Sequence, residues 1–96
     1  LVRLLKLAGQ NQAALVIARR LENSFPQEQQ VYFELSEIYQ ALQQPALRLM
    51  AEAEFHRITG NPQQAVKLYD QVLKLPETDL ATESKAREKR LLLLEK

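Results

Sequence analysis

The chain has 96 residues, 46% hydrophobic and 26% charged, which suits one small domain with a single continuous core. A formal net charge of +1 gives no electrostatic reason to expect a nucleic-acid or membrane-surface protein. The chain contains no cysteine, which excludes a disulfide framework and thiol chemistry.

The apolar stretches are too short to cross a membrane. The longest uninterrupted one, Ala13 to Ala18, has six residues, whereas a transmembrane helix needs about 20. No basic segment followed by an apolar one opens the chain, as a signal peptide would require. The first residues, LVRLLKLAG, instead have the pattern of the second half of a helix. We therefore expect the chain to be a fragment that starts inside a repeat.

Six segments place apolar residues at the spacing of an α-helix, and no segment alternates as a strand does. Gly9 ends the first segment, because glycine takes a positive φ at little cost. Pro26 follows the second segment and disfavours helix just before it. Gly60 ends the fourth helix, Asn61 can cap the fifth, and Pro62 suits its first turn. The predicted helices are 1–8, 12–24, 28–43, 45–59, 62–75 and 79–95.

The apolar stripes of these helices predict the core. Helix 12–24 has one stripe, formed by Ala14, Ile17, Ala18, Leu21 and Phe25. Helix 45–59 has two, formed by Leu49, Ala53 and His56 on one side and by Leu47, Ala51, Phe55 and Ile58 on the other. A helix that is apolar on two sides is buried against neighbours on both.

Two stretches share the residues that mark the start and the end of a helix. Gly9 to Pro26 and Gly60 to Pro76 both begin at a glycine, place an alanine five residues later and end at a proline. The two glycines are 51 residues apart. A helix that is repeated along the chain with the same flanking residues is typical of a solenoid.

These positions resemble the tetratricopeptide repeat, a helix pair with a period of 34 residues. The matching residues are Tyr32, Leu35, Ser36 and Tyr39 in a first helix, Ala14, Ala18 and Pro26 in the preceding second helix, and Leu49, Ala53, His56, Gly60, Ala65, Tyr69 and Pro76 in a further repeat. Glu52 and His56 depart from the family, which has Leu and Tyr there. An offset of 51 residues is one and a half periods, so helix 45–59 closes one repeat and opens the next. The resemblance implies an all-α solenoid of antiparallel helix pairs with a charged C-terminal capping helix.

The stretch from Leu35 to Leu75, followed by a charged helix with Ala86 and Arg87, resembles a more specific family. This is the C-terminal repeat domain of bacterial periplasmic M48-type zinc metalloproteases, which assist outer-membrane β-barrel assembly. The resemblance covers residues 15–95. It implies a periplasmic protein whose preceding catalytic domain holds zinc in an HExxH helix. It also implies that the repeats dock on the protease domain, the barrel-assembly machinery or an unfolded outer-membrane protein.

The fragment itself cannot supply the zinc site of that family. HExxH needs two histidines on one helical face, and His56 is the only histidine here. The resemblance therefore assigns this chain no catalytic residue, no metal ligand and no cofactor. We expect His56, which falls on an apolar stripe, to have a core or boundary role.

Two carboxylates of helix 45–59 lie two residues apart. Glu52 and Glu54 therefore point about 200° apart and cannot form a carboxylate pair. We expect Glu54 to be solvated. Glu52 lies nearer the packed side and is placed to pair with Arg48 one turn earlier.

The last predicted helix is charged along most of its length. Thr78 or Asp79 can cap it, and Glu83 precedes Arg87 at the favourable spacing. Its basic residues alternate with glutamates and no aromatic residue accompanies them, so a solvated capping helix is favoured over a nucleic-acid surface. The run Leu91–Leu94 winds around the helix, so at least one leucine should be exposed or should meet a domain outside the chain.

Repeat folds of this kind have a concave groove lined by the first helix of each pair. By spacing, we expect that groove to show Gln30, Phe33, Glu37 and Gln40 of helix 28–43, and Leu47, Met50, Glu54, Arg57 and Ile58 of helix 45–59. The candidate partner-binding residues are Phe33, Glu37, Gln40, Met50, Glu54 and Arg57. Phe33 falls off the buried stripe, and exposed aromatic and methionine side chains suit peptide or helix recognition. Alternatively, Phe33 packs on a helix that precedes Leu1.

The sequence thus predicts a non-catalytic protein–protein interaction module. By resemblance it is the C-terminal repeat domain of a periplasmic zinc protease that acts in outer-membrane β-barrel assembly or quality control. The alternative is a stand-alone cytoplasmic scaffold that binds a peptide or helix. An enzyme is disfavoured because the chain shows no acid–base or nucleophile constellation.

Overall fold

The computed structural model describes residues 2–7 and 9–95. Within these ranges it contains six α-helices and no strand, which confirms the predicted all-α class. The helices are α1 (Val2–Leu7), α2 (Asn11–Ser24), α3 (Gln29–Ala41), α4 (Pro45–Ile58), α5 (Pro62–Lys74) and α6 (Leu80–Leu94). Their ends lie within two residues of the predicted ones. The predicted ends at Leu1 and Ala8 lie outside the described residues.

Helix α4 is packed on both sides, as its two apolar stripes predict. Each helix contacts the next along the chain, and the most extensive contacts are those of α4 with α3 and with α5. One core cluster contains Val2, Ala14, Ala18, Val31, Tyr32, Leu35, Ile38, Tyr39 and Ala51, with Leu47, Phe55 and Ile58 against it. The other contains Leu49, Ala53, Ala65, Leu68, Tyr69, Val72 and Ala86. Each stripe of α4 therefore belongs to a different cluster.

Fully buried alanines lie where helices meet. Ala14 of α2, Ala53 of α4 and Ala65 of α5 have no exposed surface. Side chains this small let neighbouring helix axes approach closely, which favours dispersion contacts along the interface.

The turns on both sides of α4 share one backbone motif. Before α5, Gly60 takes a φ of 86°, and the next N–H donates to the carbonyl five residues back at 2.8 Å. Before α4, Gln43 takes a φ of 57°, and the equivalent hydrogen bond is 2.9 Å long. A left-handed residue just past the helix end is a common helix stop. Gln43 adopts this conformation with a side chain, at a steric cost that glycine avoids.

Side-chain caps fix the starts of the last two helices. Asn61 accepts a hydrogen bond from a backbone N–H of the first turn of α5 at 3.4 Å. Of the two candidates for capping α6, Asp79 performs the role, because its carboxylate accepts the N–H of Thr82 at 2.7 Å. The hydroxyl of Thr78 instead donates to the carbonyl of Val72 at 3.0 Å.

The predicted inward stripe of α2 is wrong at its C-terminal end. Phe25 is 58% exposed, because it is the C-cap residue and its backbone has left the helical conformation. Leu21 is 37% exposed and borders a depression of about 200 Å³ beside the short helix α1. The predicted stripe therefore extends past the part of α2 that its neighbours cover.

Candidate functional site

A groove of about 740 Å³ opens across one face of the molecule and is termed the central groove. Residues of α2, α3, α4 and α6 and of the turns before α4 and α6 surround it. Its lining consists of Arg19, Glu22, Tyr32, Leu35, Tyr39, Gln44, Ala46, Leu47, Met50, Ala51, Glu54, Glu77, Thr78, Asp79, Ala81, Thr82, Lys85, Glu88, Lys89 and Leu92. A concavity of this size and mixed lining is in the range of ligand-binding clefts.

Helix α4 presents one continuous stripe to the groove. Leu47, Met50, Ala51 and Glu54 follow one another at the spacing that places side chains on one helical face. Leu47 and Met50 are half-buried, so part of each apolar side chain faces the groove. On α6, Leu92 is 55% exposed and also lines it. These three side chains provide an apolar surface inside the concavity.

Glu54 is the last residue of this stripe, and three side chains donate to its carboxylate. The hydroxyl of Tyr69 donates to its Oε1 at 2.7 Å, and the Nζ of Lys89 lies 2.8 Å from the same oxygen. The Nη2 and Nε of Arg57 donate to Oε2 at 2.7 and 3.0 Å. The donors come from α5, α6 and α4, so one carboxylate links three helices.

Burial and hydrogen bonding act in opposite directions on Glu54. Burial alone would raise the pKa of this carboxyl, but hydrogen bonds from Lys89, Tyr69 and Arg57 outweigh it and hold the pKa below its ordinary value. Burial, followed by the hydrogen bond to the Glu54 carboxylate, raises the pKa of Tyr69. Glu54 is therefore an anion at neutral pH with its acceptor sites occupied.

The expectation that Glu54 is solvated is wrong, since only 5% of the residue is exposed. The stripe that carries Leu47 and Met50 brings Glu54 to the same face of α4. Lys89 reaches it from α6, and Tyr69 from α5. The spacing of Leu47, Met50 and Glu54 predicts their shared face, but no sequence signal marks Lys89 and Tyr69 as partners of the carboxylate.

Glu22 of α2 is the second partly buried carboxylate of the groove. Burial raises its pKa, and the charge of Glu54 acts in the same direction. The charges of Arg19, Lys89 and Lys85 lower the pKa but do not offset the burial. Within the described chain, the Glu22 carboxylate accepts no hydrogen bond and forms no ion pair. Its acceptor sites are therefore open to the groove.

Two tyrosines of α3, Tyr32 and Tyr39, line the groove together with Glu22. Burial raises the pKa of Tyr32 to about 12, assisted by the charges of Glu22 and Glu54. Burial also raises the pKa of Tyr39, with Glu22 again contributing. The Tyr32 hydroxyl donates to the carbonyl of Pro26 at 2.9 Å, which anchors the turn between α2 and α3. Both phenols are neutral at physiological pH, and both residues are almost fully buried, so neither supplies a phenolate to the groove.

The structure separates the six candidate partner-binding residues into two groups. Met50 and Glu54 line the central groove. Arg57 does not line it but donates a hydrogen bond to the Glu54 carboxylate. Phe33, Glu37 and Gln40 do not line this groove. From α3, Tyr32, Leu35 and Tyr39 line the central groove instead. A partner-binding role for Phe33, Glu37 and Gln40 stays a prediction about a different surface.

The side of α3 that carries Glu34 and Glu37 contacts α1. Lys6 of α1 forms ion pairs with Glu34 and Glu37, and Glu34 also accepts a hydrogen bond from Gln30 at 2.7 Å. Glu34 is buried by these contacts, whereas Glu37 stays exposed. Phe33 is 44% exposed and its ring lies 6.2 Å from that of Phe55, centroid to centroid.

The other singled-out residues have structural partners. The Nη1 of Arg48 donates to Glu52 at 2.9 Å, as predicted for a helical pair. His56 is half-buried with its ring edge-on to Phe55, in agreement with a boundary role. Arg87 pairs with Glu83 at 2.5 Å.

The C-terminal leucines are largely exposed. Leu93 packs against the second core cluster, whereas Leu91, Leu92 and Leu94 are each more than half exposed. This confirms the expectation of exposed leucines in this run. Of the three, only Leu92 lines the central groove.

In residues 2–7 and 9–95, no cluster of three or more His, Cys, Asp or Glu residues could hold a metal ion. None of the helices described is long and apolar enough to cross a membrane. Comparison of the chain with protein-family models, with curated proteins and with solved structures gave no significant match in any of the three.

Proposed function

We propose that this chain is a protein-interaction module whose central groove binds a peptide or helical segment of a partner protein. The observation that carries the proposal is the apolar surface formed by Leu47, Met50 and Leu92 inside a groove of about 740 Å³. Partly exposed methionine and leucine side chains in a concavity suit the apolar face of a segment laid into it.

The proposal assigns the groove a binding role and no catalytic step. Glu54 already accepts hydrogen bonds at both oxygens, so it is not free to take a proton from a substrate. Tyr32 and Tyr39 have raised pKa values and stay protonated at neutral pH. A general base or nucleophile needs a free, activated group. The Glu54 carboxylate is ionised but engaged by its donors, and the two phenols are protonated.

We also propose that the helices form a tetratricopeptide-type solenoid with a charged capping helix. Connections of three to five residues between successive helices favour antiparallel neighbours. The left-handed residues Gln43 and Gly60 are 17 residues apart, half of the 34-residue repeat period. The double packing of α4 fits a helix that closes one repeat and opens the next.

The resemblance extends the proposal to a larger protein. In that reading the chain is the C-terminal module of a periplasmic zinc metalloprotease concerned with outer-membrane β-barrel assembly. Its partners are then the protease domain, the assembly machinery or an unfolded barrel protein. The support for this reading is the sequence pattern from Leu35 to Leu75 alone. The coding sequence upstream of Leu1 tests it, because the proposal requires an HExxH motif and a signal peptide there. A stand-alone scaffold instead requires further repeats from an initiating Met.

The binding role is tested with peptides selected from a displayed random library on the 96-residue protein. Selected peptides are then measured by fluorescence anisotropy on two double variants. The groove variant is Met50→Gln with Leu92→Gln. The control is Leu91→Gln with Leu94→Gln, which changes two leucines that are as exposed as Leu92 and lie outside the groove.

The proposal predicts that affinity falls at least about 10-fold in the groove variant, because apolar contacts are lost at two positions. The control should stay within about twofold of the parent protein. Circular dichroism establishes that both variants keep their helices. Equal affinity in the two variants, or a library that yields no binder, contradicts a binding role for the groove.

A further inference from the structure

The carboxylates of the central groove are not equivalent. Glu54 is buried and paired, and Asp79 caps α6. Glu77 and Glu88 are exposed to solvent. Glu22 alone among them is both partly buried and, in the described chain, without a hydrogen bond or ion pair. A partly desolvated anion with open acceptor sites is a costly arrangement for a folded protein.

The cations around the groove do not offset the desolvation of the Glu22 carboxylate. Lys89 already pairs with Glu54 at 2.8 Å. Arg19 precedes Glu22 by one turn on α2, and Lys85 faces it from α6, but neither lies within ion-pair distance of its carboxylate. Their charges lower the pKa of Glu22 less than burial raises it. The protein therefore provides this anion with nearby positive charge but with no contacting partner.

The groove as a whole also favours a cation. Its lining contains five acidic side chains and three basic ones. Glu22, Tyr32 and Tyr39 line the same groove, and the charge of Glu22 raises the pKa of both tyrosines. A partly buried carboxylate with open acceptor sites can hold an ammonium or guanidinium group by a charge-assisted hydrogen bond.

We propose that the central groove selects peptide segments in which a lysine or arginine stands within an apolar stretch, and that the basic side chain pairs with Glu22. The apolar neighbours of that residue lie on Leu47, Met50 and Leu92. This inference rests on the proposed function, since it names the chemistry of the partner that the same groove takes. The long aliphatic stem of a lysine or arginine suits such a site, because it covers apolar surface while its charged end reaches the carboxylate.

A double-mutant cycle tests the pairing directly. A selected peptide is synthesised in two forms, one with its basic residue and one with norleucine in its place. Both forms are titrated into the parent protein and into Glu22→Gln. The control is Glu95→Gln, which removes the same charge from an exposed position outside the groove.

The expected result is that Glu22→Gln weakens the basic peptide about 10-fold, the range of a charge-assisted contact. The norleucine form should bind parent and Glu22→Gln equally, since the pairing is already lost. Glu95→Gln should leave both affinities unchanged. Circular dichroism verifies that Glu22→Gln keeps its helices.

Three results overturn the inference while leaving a binding groove intact. The selected peptides could lack basic residues, they could be acidic, or Glu22→Gln could affect the basic and norleucine forms equally. In each case the Met50 and Leu92 groove variant still loses binding, so the proposed function stands. If binding survives in that groove variant, the proposed function fails first and the pairing with Glu22 fails with it.

Discussion

The hydroxyl of Tyr69 donates a 2.7 Å hydrogen bond to the carboxylate of Glu54, and both residues are buried. Tyr69 belongs to the second core cluster, and Glu54 lies at the groove. This contact therefore joins the core to the groove surface. Lys89 and Arg57 form ion pairs with the same carboxylate.

Removing the carboxylate should destabilise the fold more than removing the phenol. Glu54→Gln loses two ion pairs and should lower the free energy of unfolding by about 2–3 kcal/mol, because Lys89 and Arg57 are only partly exposed. Tyr69→Phe removes one hydrogen bond and should cost about 1 kcal/mol. Urea unfolding followed by circular dichroism measures both. If Tyr69→Phe proves the more damaging variant, the carboxylate is not the centre of this network.

Acid should remove the contribution of Glu54. Its pKa in the folded protein is held below the ordinary value of 4.5, so the stability it provides is fully present above that value. This stability is lost as pH falls through the lower, folded-state pKa. Urea unfolding from pH 7 to pH 3 should thus show the gap between the parent and Glu54→Gln narrowing in acid. A gap that stays constant over this range contradicts the assigned ionisation.

Glu22 should have the opposite effect on stability. Burial raises its folded-state pKa, so the folded state is favoured below the unfolded value of 4.5, and that contribution is lost as pH rises through the raised pKa. The groups that face it are Arg19, Tyr32, Tyr39, Glu54, Lys85 and Lys89. Glu22→Gln should therefore raise the melting temperature at pH 7 and have little effect at pH 3. A lower melting temperature at pH 7 would mean that an intramolecular partner stabilises Glu22.

The left-handed turn before α4 should tolerate glycine better than its native residue. Gln43 has a φ of 57°, so Gln43→Gly relieves the steric cost of that conformation and should stabilise the protein by about 0.5–1 kcal/mol. The reciprocal change, Gly60→Ala at a φ of 86°, should destabilise it by about 1 kcal/mol, although the added Cβ meets no atom within 4 Å. Thermal unfolding distinguishes the two. Destabilisation by both variants would show that the Gln43 side chain contributes contacts that outweigh the strain.

The helix ends can be predicted from the sequence because residue types that stop or start helices stand there. Gly60, Asn61 and Pro62 stop one helix and start another within three residues. The double-sided packing of α4 was also predictable, since its stripes at Leu49 and Ala51 point in different directions. Gln43 adopts the same turn as Gly60 without glycine, so no residue type marked that motif.

The groove was harder to predict because it depends on contacts between distant helices. Glu54 was expected in solvent, but Lys89 and Tyr69 reach it from α6 and α5. Phe33 and Glu37 lie outside the central groove, where the ring of Phe33 lies near that of Phe55 and Glu37 pairs with Lys6. Hydrophobic periodicity places residues on a face of a helix, but it does not state which neighbour covers that face.

The most direct test of the binding groove is an NMR titration of ¹⁵N-labelled protein with a selected peptide. The account predicts that the largest amide shift changes fall around Glu22 of α2, Met50 of α4 and Leu92 of α6. Small changes are expected at Gly9 and Gly60, which lie in turns outside the groove. Shift changes concentrated at Phe33 and Glu37, with none along the Leu47–Glu54 stripe, would contradict the central groove as the binding site.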